Sequence, residues 1–431
     1  MKISKLYIDQ FRHLENLDFD FTYQSGERKG QPLDKICFIG QSATGKTSLL
    51  ELIHNRFSFL NNLFVKSDIK VYTEELGEPK IFFGNIKFNW DNNSLEINDN
   101  ELKYNDTIYQ NKFVSGSAGQ LFPNPDDKKR LFYFKANIIS ENNLDFFSKN
   151  PIDLIEKHNE QLTDVFRYFK YSHNREFIFD ENADSKAWIF IIQDILNYRK
   201  NFTQKMSDLI HKGILGNQNK LSSEFQNWQK ENPNILEEFA EKLNPILEKL
   251  NLEVDVFNTE FSIPIKNKRT DEIIPIQNTS TGTKGLLLSF LPLFKLDTKD
   301  SIILIDEPER SLYPDMQMDL MDYYQNLAPE AQFIVATHSP FVAASFEPDE
   351  RFILYFDEKG KVAVRRGSSP IGDDPNDMLY NDFGINYINK FGQAKYNEYL
   401  ELKQKIYFEK DEKIKKEYAE KLEKIGEEYN F

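Results

Sequence analysis

The sequence predicts an α/β fold: a P-loop core sheet, an antiparallel β-subdomain, a helical insertion lobe and a C-terminal helical tail. Three observations carry that prediction. Ile302-Ile-Leu-Ile305 is an aliphatic run that ends in Asp306-Glu307, the pattern of a strand buried on both faces of a parallel sheet. Ile36-Cys-Phe-Ile39 is a second buried run, and it leads into Gly40-Gln41-Ser42-Ala43-Thr44-Gly45-Lys46-Thr47, a complete G-x-x-x-x-G-K-T. Gln332 to Ala336 is a third, closing on Thr337-His338-Ser339-Pro340. Open α/β sheets bind ligands at the carboxyl ends of their strands, so these three ends mark one candidate site.

The totals bound the rest. At 431 residues the chain exceeds one ordinary domain, and two lobes are expected. With 37 Phe and 20 Tyr, much of the core should be aromatic. A net charge of −15 argues against a whole-surface grip on nucleic acid and leaves room only for a local basic groove. The single cysteine, Cys37, has no partner for a disulfide, which fits a reducing cytosol. The chain starts on a mixed polar strand pattern, not a signal peptide, and no apolar run approaches the roughly 20 residues of a bilayer span. A soluble, cytoplasmic protein is expected, without a membrane partner.

Taken in order, residues 1–22 read as two strands joined at Phe11-Arg12-His13-Leu14, with Leu17 to Phe21 alternating. After the G-x-x-x-x-G-K-T, Ser48 to Phe57 is strongly helix-forming. Residues 69–139, with Ile81-Phe-Phe, Ile86 to Trp90, Ser94 to Ile97 and Leu131 to Phe134, read as the antiparallel subdomain. Helices are expected over Ile152 to Tyr168, Trp188 to Leu209, Phe225 to Gln229 and Ile235 to Leu250, with no heptad run long enough for an extended coiled coil. Val254 to Ile276 returns to strands, and Met316 to Leu327 reads as a helix. Phe352 to Phe356 and Lys361 to Arg365 form a hairpin that turns at Glu358-Lys-Gly360. Asp373-Asp374-Pro375-Asn376-Asp377 reads as a turn and helix start in preference to a metal site. In the tail, Tyr418, Leu422, Ile425 and Tyr429 make one apolar stripe, open to the chain's own lobe or to a partner helix. The domains expected are 1–140, 141–251, 252–368 and 369–431.

The chemistry follows from residue type and place. Glycines let backbone N–H groups curl around phosphates at a helix N-terminus, with Lys46 on the β/γ-phosphates and Thr47 on magnesium. Asp306 would hold the metal and Glu307 polarise a water, since two adjacent carboxylates at a buried strand end need a cation or a reaction to use them. His338, at the end of a neighbouring strand, is placed to touch a γ-phosphate. Asn278 to Gly285 is another Ser/Thr/Gly loop opening a helix. It suits an anion, and it equally suits an ordinary N-cap.

Together these elements resemble the ABC-type heads of SMC-like and RecF-like AAA-family ATPases. The likeness is greatest to the bacterial "overcoming lysogenisation defect" and related antiphage-defence ATPases of the Septu and PARIS types. Gly40 to Thr47, with Ser48, is similar to Walker A, and Ile302 to Glu307 to Walker B. Pro308 to Pro314 is similar to the E-P-x-x-x-L-x-P form of the D-loop, and Thr337 to Pro340 to the switch-histidine loop. Thr279 to Lys284 is similar to the signature loop: Ser280, Gly282 and Lys284 match, and Thr279 replaces the usual leucine. Arg12 matches an arginine that can touch nucleotide phosphate in that superfamily. Two departures stand out. Ala43 occupies a common glycine position, and Phe134-Lys-Ala-Asn137 holds no Q-loop glutamine.

The resemblance covers about 1–62 and 252–366. It implies ATP and Mg2+ as ligands, Glu307, His338 and Lys46 as catalytic groups, and Thr47 with Asp306 on the metal. It also implies a homodimer or higher homo-oligomer, in which Ser280 and Gly282 complete a partner's site across an ATP sandwich. No nuclease pattern follows Pro340, so the defence likeness implies a separate nuclease effector of Toprim or H-N-H type. The alternative is a RecF/SMC-like DNA-repair ATPase that binds DNA directly.

Overall fold

The computed structural model describes residues 1–65, 83–90, 93–98, 101–110, 130–156, 176–258, 260–371, 375–385, 392–409 and 411–429. The chain forms two compact units, Met1–Gly372 and Asp373–Phe431. The strands of the first are β1 (Lys2–Phe11), β2 (Leu14–Asp20), β3 (Lys35–Gly40), β4 (Phe83–Trp90), β5 (Asn93–Asn98), β6 (Glu101–Tyr104), β7 (Thr107–Gln110), β8 (Leu131–Phe134), β9 (Glu176–Phe179), β10 (Leu252–Val254), β11 (Ile265–Asn267), β12 (Ile273–Ile274), β13 (Ile302–Asp306), β14 (Gln332–Ala336), β15 (Arg351–Phe356) and β16 (Val362–Arg366).

The core sheet has seven strands in the order β16-β15-β3-β14-β13-β8-β9, all parallel except the antiparallel edge pair β15–β16. β3, β13 and β14 are apolar without alternation because both faces are covered; every residue of β13 and β14 is buried. A second sheet, β2-β1-β4-β5-β6-β7, is wholly antiparallel. Its alternating strands turn Ile3, Leu6, Ile8, Phe19, Ile86, Phe88, Leu95 and Ile97 into one continuous core with Phe38, Leu304 and Ile334 of the core sheet. As the composition implied, aromatics fill part of it: Phe19, Phe21, Phe38 and Phe352 make mutual ring contacts at 5.1–6.2 Å. Buried Gln332 joins the layers, donating to Ile3 O and Leu33 O at 2.9 Å and accepting from Ile3 N at 2.7 Å.

Two assignments differ from the sequence expectation. Leu131–Phe134 lies in the parallel core beside β13, not in the antiparallel subdomain, and all four residues are buried. An unbroken apolar run suits that position; a half-solvated sheet would favour alternation. Glu176–Phe179, expected within a helical lobe, is the edge strand β9. Its four residues are too few to carry a period, and tertiary stacking decides the matter: Phe177 on Phe132 at 5.2 Å and Phe179 on Phe134 at 4.9 Å.

Helices supply the remaining cover. α1 (Lys46–Val65) follows β3 directly. α2 (Ser185–His211) starts at Asp184, whose side chain accepts from Lys186 N, and buries Trp188, Ile192 and Leu196 in its first half. Its second half carries Tyr198 and Phe202 against Phe225 and Trp228 of α3 (Gln218–Glu231). α4 (Ile235–Glu248) buries Leu236, Phe239, Leu243 and Ile246 at helical spacing. α5 (Thr281–Lys295) is followed by β13, and Met316 to Leu327 is broken at Asp319 into α6 (Pro314–Met318) and α7 (Leu320–Leu327). The 352–366 hairpin forms as expected, with Gly360 at φ 75° in its turn. Val254 to Ile276 holds the small antiparallel sheet β10-β11-β12.

In the second unit α8 (Gln393–Phe408) and α9 (Glu412–Tyr429) pack as a hairpin, tied by Lys421 to Glu398 at 2.9 Å. Ile425 of the expected stripe is buried, Tyr418 and Leu422 are half-buried, and Tyr429 is exposed. Ile81 and Phe82, the expected helix beyond Glu156, and Asp373-Asp374 lie outside the described residues. Among the described residues, no helix is long and apolar enough to cross a membrane.

Candidate active site

β3, β13 and β14 are adjacent and parallel, so their carboxyl ends bring three sequence motifs to one place. A cleft of about 250 Å³ opens there, lined by His13, Ser42, Ala43, Gly45, Lys46, Thr47, Ser48, Asp306, Glu307, Ala336 and His338. The loop of the first motif is held open by its own backbone. Gly45 sits at φ 93°, and a Cβ there would lie 2.7 Å from Leu14 Cδ2 and 2.9 Å from His13 Nε2. Thr44, fully buried, donates its hydroxyl to Gln41 O at 2.8 Å and braces the turn. Ala43 keeps a left-handed φ of 67° without being glycine, as does Glu307 at 52°; such conformations gather at functional sites.

Lys46 Nζ donates to Gly40 O at 2.8 Å and Gln41 O at 3.0 Å, so the ammonium spans the mouth of the loop. Burial pulls its pKa down to about 8 against the opposing charges of Asp306, Glu307 and Glu309. Thr47 donates its hydroxyl to Asp306 Oδ2 at 3.0 Å and Oδ1 at 3.3 Å. Burial raises the Asp306 carboxyl to about 6; the Thr47 bond works against that rise and the Glu307 charge adds to it. Partial desolvation at the cleft, then the Lys46 charge, lowers the pKa of His338 and favours the neutral imidazole.

The donor set fits a hard cation. A desolvated carboxylate and a hydroxyl share one point, and among the described residues no cluster of three or more His, Cys, Asp or Glu offers an all-protein cage. Two protein oxygens completed by water and phosphate are what magnesium accepts. Thr47 and Asp306 could hold it, beside a glycine loop and a helix N-terminus suited to phosphate.

Of the other residues singled out in the sequence, Arg12 lies on the rim. Its Nη1 donates to Ser48 Oγ at 3.2 Å and pairs with Glu51 at 2.5 Å. Ser280 is the N-cap of α5, accepting from Thr283 N at 3.1 Å. A Cβ on Gly282 would lie 2.5 Å from Ser311 O, so its glycine serves a close approach to the segment after Glu307. Neither residue lines the Lys46 cleft.

Three contributors escaped the sequence reading. His13 lines the cleft, Glu309 accepts the His338 N–H at 2.8 Å, and Gln317 accepts the Ser339 hydroxyl at 2.5 Å. The second glutamate of E-P-E was the only sequence signal for Glu309. At the place lacking a Q-loop glutamine, Lys135 pairs with Asp180 at 3.1 Å and Arg310 donates to Ala136 O at 2.6 Å.

The family described as "AAA ATPase domain" matches residues 1–343. The chain is 23% identical over 419 residues to the "Retron Ec83 probable ATPase" of Escherichia coli, covering 84% of this chain and 73% of that protein. It is 33% identical over 72 residues to the "Septu protein PtuA" of Bacillus thuringiensis, which is 17% of this chain and 18% of that one. The solved SMC head domain from Thermotoga maritima aligns at 11% identity with a TM-score of 0.39, covering 85% of this chain and all of that one (100%).

Proposed function

The chain belongs to the AAA ATPase domain family, and from that premise we propose that it binds Mg-ATP and hydrolyses it in the cleft between β3, β13 and β14. The observation that carries this reading is the convergence of Lys46, Thr47, Asp306, Glu307 and His338 on one cleft from three separate motifs. The amides of Ser42 to Lys46 bind phosphate, and Lys46, once drawn off Gly40 O and Gln41 O, turns its ammonium on the β/γ-phosphates. Thr47 and Asp306 would hold magnesium, which would supply charge to offset that of the phosphates. Glu307 accepts a proton from the attacking water and orients it, and neutral His338 hydrogen-bonds the γ-phosphate. Positioning and fixed charge, with no covalent intermediate, do the work.

Ser280 and Gly282 do not line their own chain's Lys46 cleft, and we assign them to a second copy's nucleotide, giving a head-to-tail pair that closes on ATP. In the Glu307→Gln variant, ATP binding is retained and hydrolysis lost, so the pair accumulates. Light scattering should then read a doubled mass with Mg-ATP and a single chain without it. A mass that ignores nucleotide would sink the pairing.

The likeness to proteins named for a retron and for Septu supports an antiphage-defence role, and within it we assign the chain as scaffold and control of a separate nuclease. Pull-down of the tagged chain expressed with its neighbouring reading frames should recover a stoichiometric nuclease. A preparation without a protein partner, whose DNA affinity rises with ATP and falls with salt, would move the assignment to DNA repair.

A further inference from the structure

β14 leaves the sheet at a definite point. Thr337 N–H still bonds backbone, at Phe38 O and 3.1 Å, but the next two amides are taken by side chains. His338 N–H goes to Glu309 Oε1 at 2.8 Å and Ser339 N–H to Thr337 Oγ1 at 2.9 Å. The ring of His338 is exposed, so its place at the phosphate end of the cleft depends on what holds its backbone. A carboxylate accepting an amide is a charge-assisted bond, stronger and shorter than a neutral one.

Glu309 is itself firmly set. Arg310 N bonds Glu307 O at 3.1 Å and Leu312 N bonds Glu309 O at 2.9 Å, so two successive tight turns enclose it. They are flanked by left-handed Glu307 (φ 52°) and Ser311 (φ 63°), and Ser311 O is wedged against Gly282 at the start of α5. Besides the His338 N–H, the buried Glu309 carboxylate faces its own backbone N–H and the Thr337 hydroxyl. Burying a carboxylate costs stability unless it is hydrogen-bonded, and the His338 amide is the foremost of its partners. Glu309 does not line the cleft.

We propose that Glu309 is a positioning residue of the ATPase: by accepting the His338 N–H it holds the switch histidine at the phosphate end of the cleft. This rests on the ATPase reading above. Two full-length variants test it. Glu309→Ala removes the acceptor, whereas Glu309→Gln keeps a carbonyl in its place. Misplacing His338 should lower kcat about 100-fold in Glu309→Ala while KM for ATP stays within about threefold. Glu309→Gln should recover turnover to within about tenfold of wild type, since the neutral bond is weaker but present. Turnover of Glu309→Ala near wild type, or Glu309→Gln falling as low as Glu309→Ala, overturns the assignment; a merely structural loss gives the second pattern.

Amide hydrogen exchange of the nucleotide-free proteins is independent of turnover. The 337–340 segment should exchange about tenfold faster or more in Glu309→Ala than in wild type. Unchanged exchange overturns the proposal even in a protein that hydrolyses ATP. Faster exchange in Glu309→Ala, where wild type itself shows no turnover, would leave this bond standing and strike the ATPase reading alone.

Discussion

Asp306→Asn should make the nucleotide-free protein more stable at neutral pH while removing its response to Mg-ATP. Asp306 is 8% exposed, and burial holds its carboxyl at about 6, against an ordinary 3.8. The native state therefore binds this proton more tightly than the unfolded chain. Its contribution to stability is complete below pH 4 and is lost as pH rises through 6. A gap of about two decades, at about 1.4 kcal/mol each, means that the charged carboxylate costs about 3 kcal/mol at pH 7.5. Asparagine removes that charge and keeps a carbonyl for the Thr47 hydroxyl. Against this, Lys46 loses the nearest charge opposing the burial that lowers its own pKa. A net gain of about 1–2 kcal/mol remains. Urea midpoints without metal or nucleotide, at pH 5 and pH 7.5, read it. The lead of Asp306→Asn should widen by about 1 kcal/mol between the two. Mg-ATP at about 100 times Kd then adds about 2.7 kcal/mol to wild type alone and reverses the order. A variant less stable than wild type at pH 7.5, or a difference that ignores pH, would refute the reasoning.

Two further outcomes follow from the same geometry. In the free enzyme kcat/KM for ATP should rise with pH through about 6, as Asp306 loses its proton, and fall through about 8, as Lys46 loses its own. A profile level from pH 5 to 9 contradicts both assignments. Gly282→Ala places a methyl 2.5 Å from Ser311 O, so α5 or the segment after Glu307 must move. Turnover should fall about tenfold or more while a fluorescent ATP analogue still binds one chain with wild-type affinity; equal loss of both would place the damage in general folding.

Much of the site was legible because its signals are local. The strand-loop-helix around Gly40 to Thr47 has a fixed spacing, and the runs 302–305 and 332–336 carry the apolar pattern of a doubly covered strand. Their convergence then follows from parallel topology alone. The signature loop was not decidable in the same way. Ser280 does cap its helix and Gly282 does permit a close approach, so ordinary structure accounts for both residues in one chain. β9 was illegible because four residues hold no period and ring stacking across strands selects it. His13 and Glu309 were missed for a related reason. One reaches the cleft only because β1 and β2 turn beside Gly45, and the other acts through an amide 29 residues away.

Phosphate release by the purified full-length chain with Mg-ATP, beside Glu307→Gln in the same preparation, tests the ATPase assignment most directly. Steady turnover by wild type, its loss in Glu307→Gln and retention of bound ATP by that variant are the predicted result. Equal turnover in the two proteins would remove Glu307 from the reaction. No turnover and no nucleotide bound by wild type would contradict the assignment as a whole.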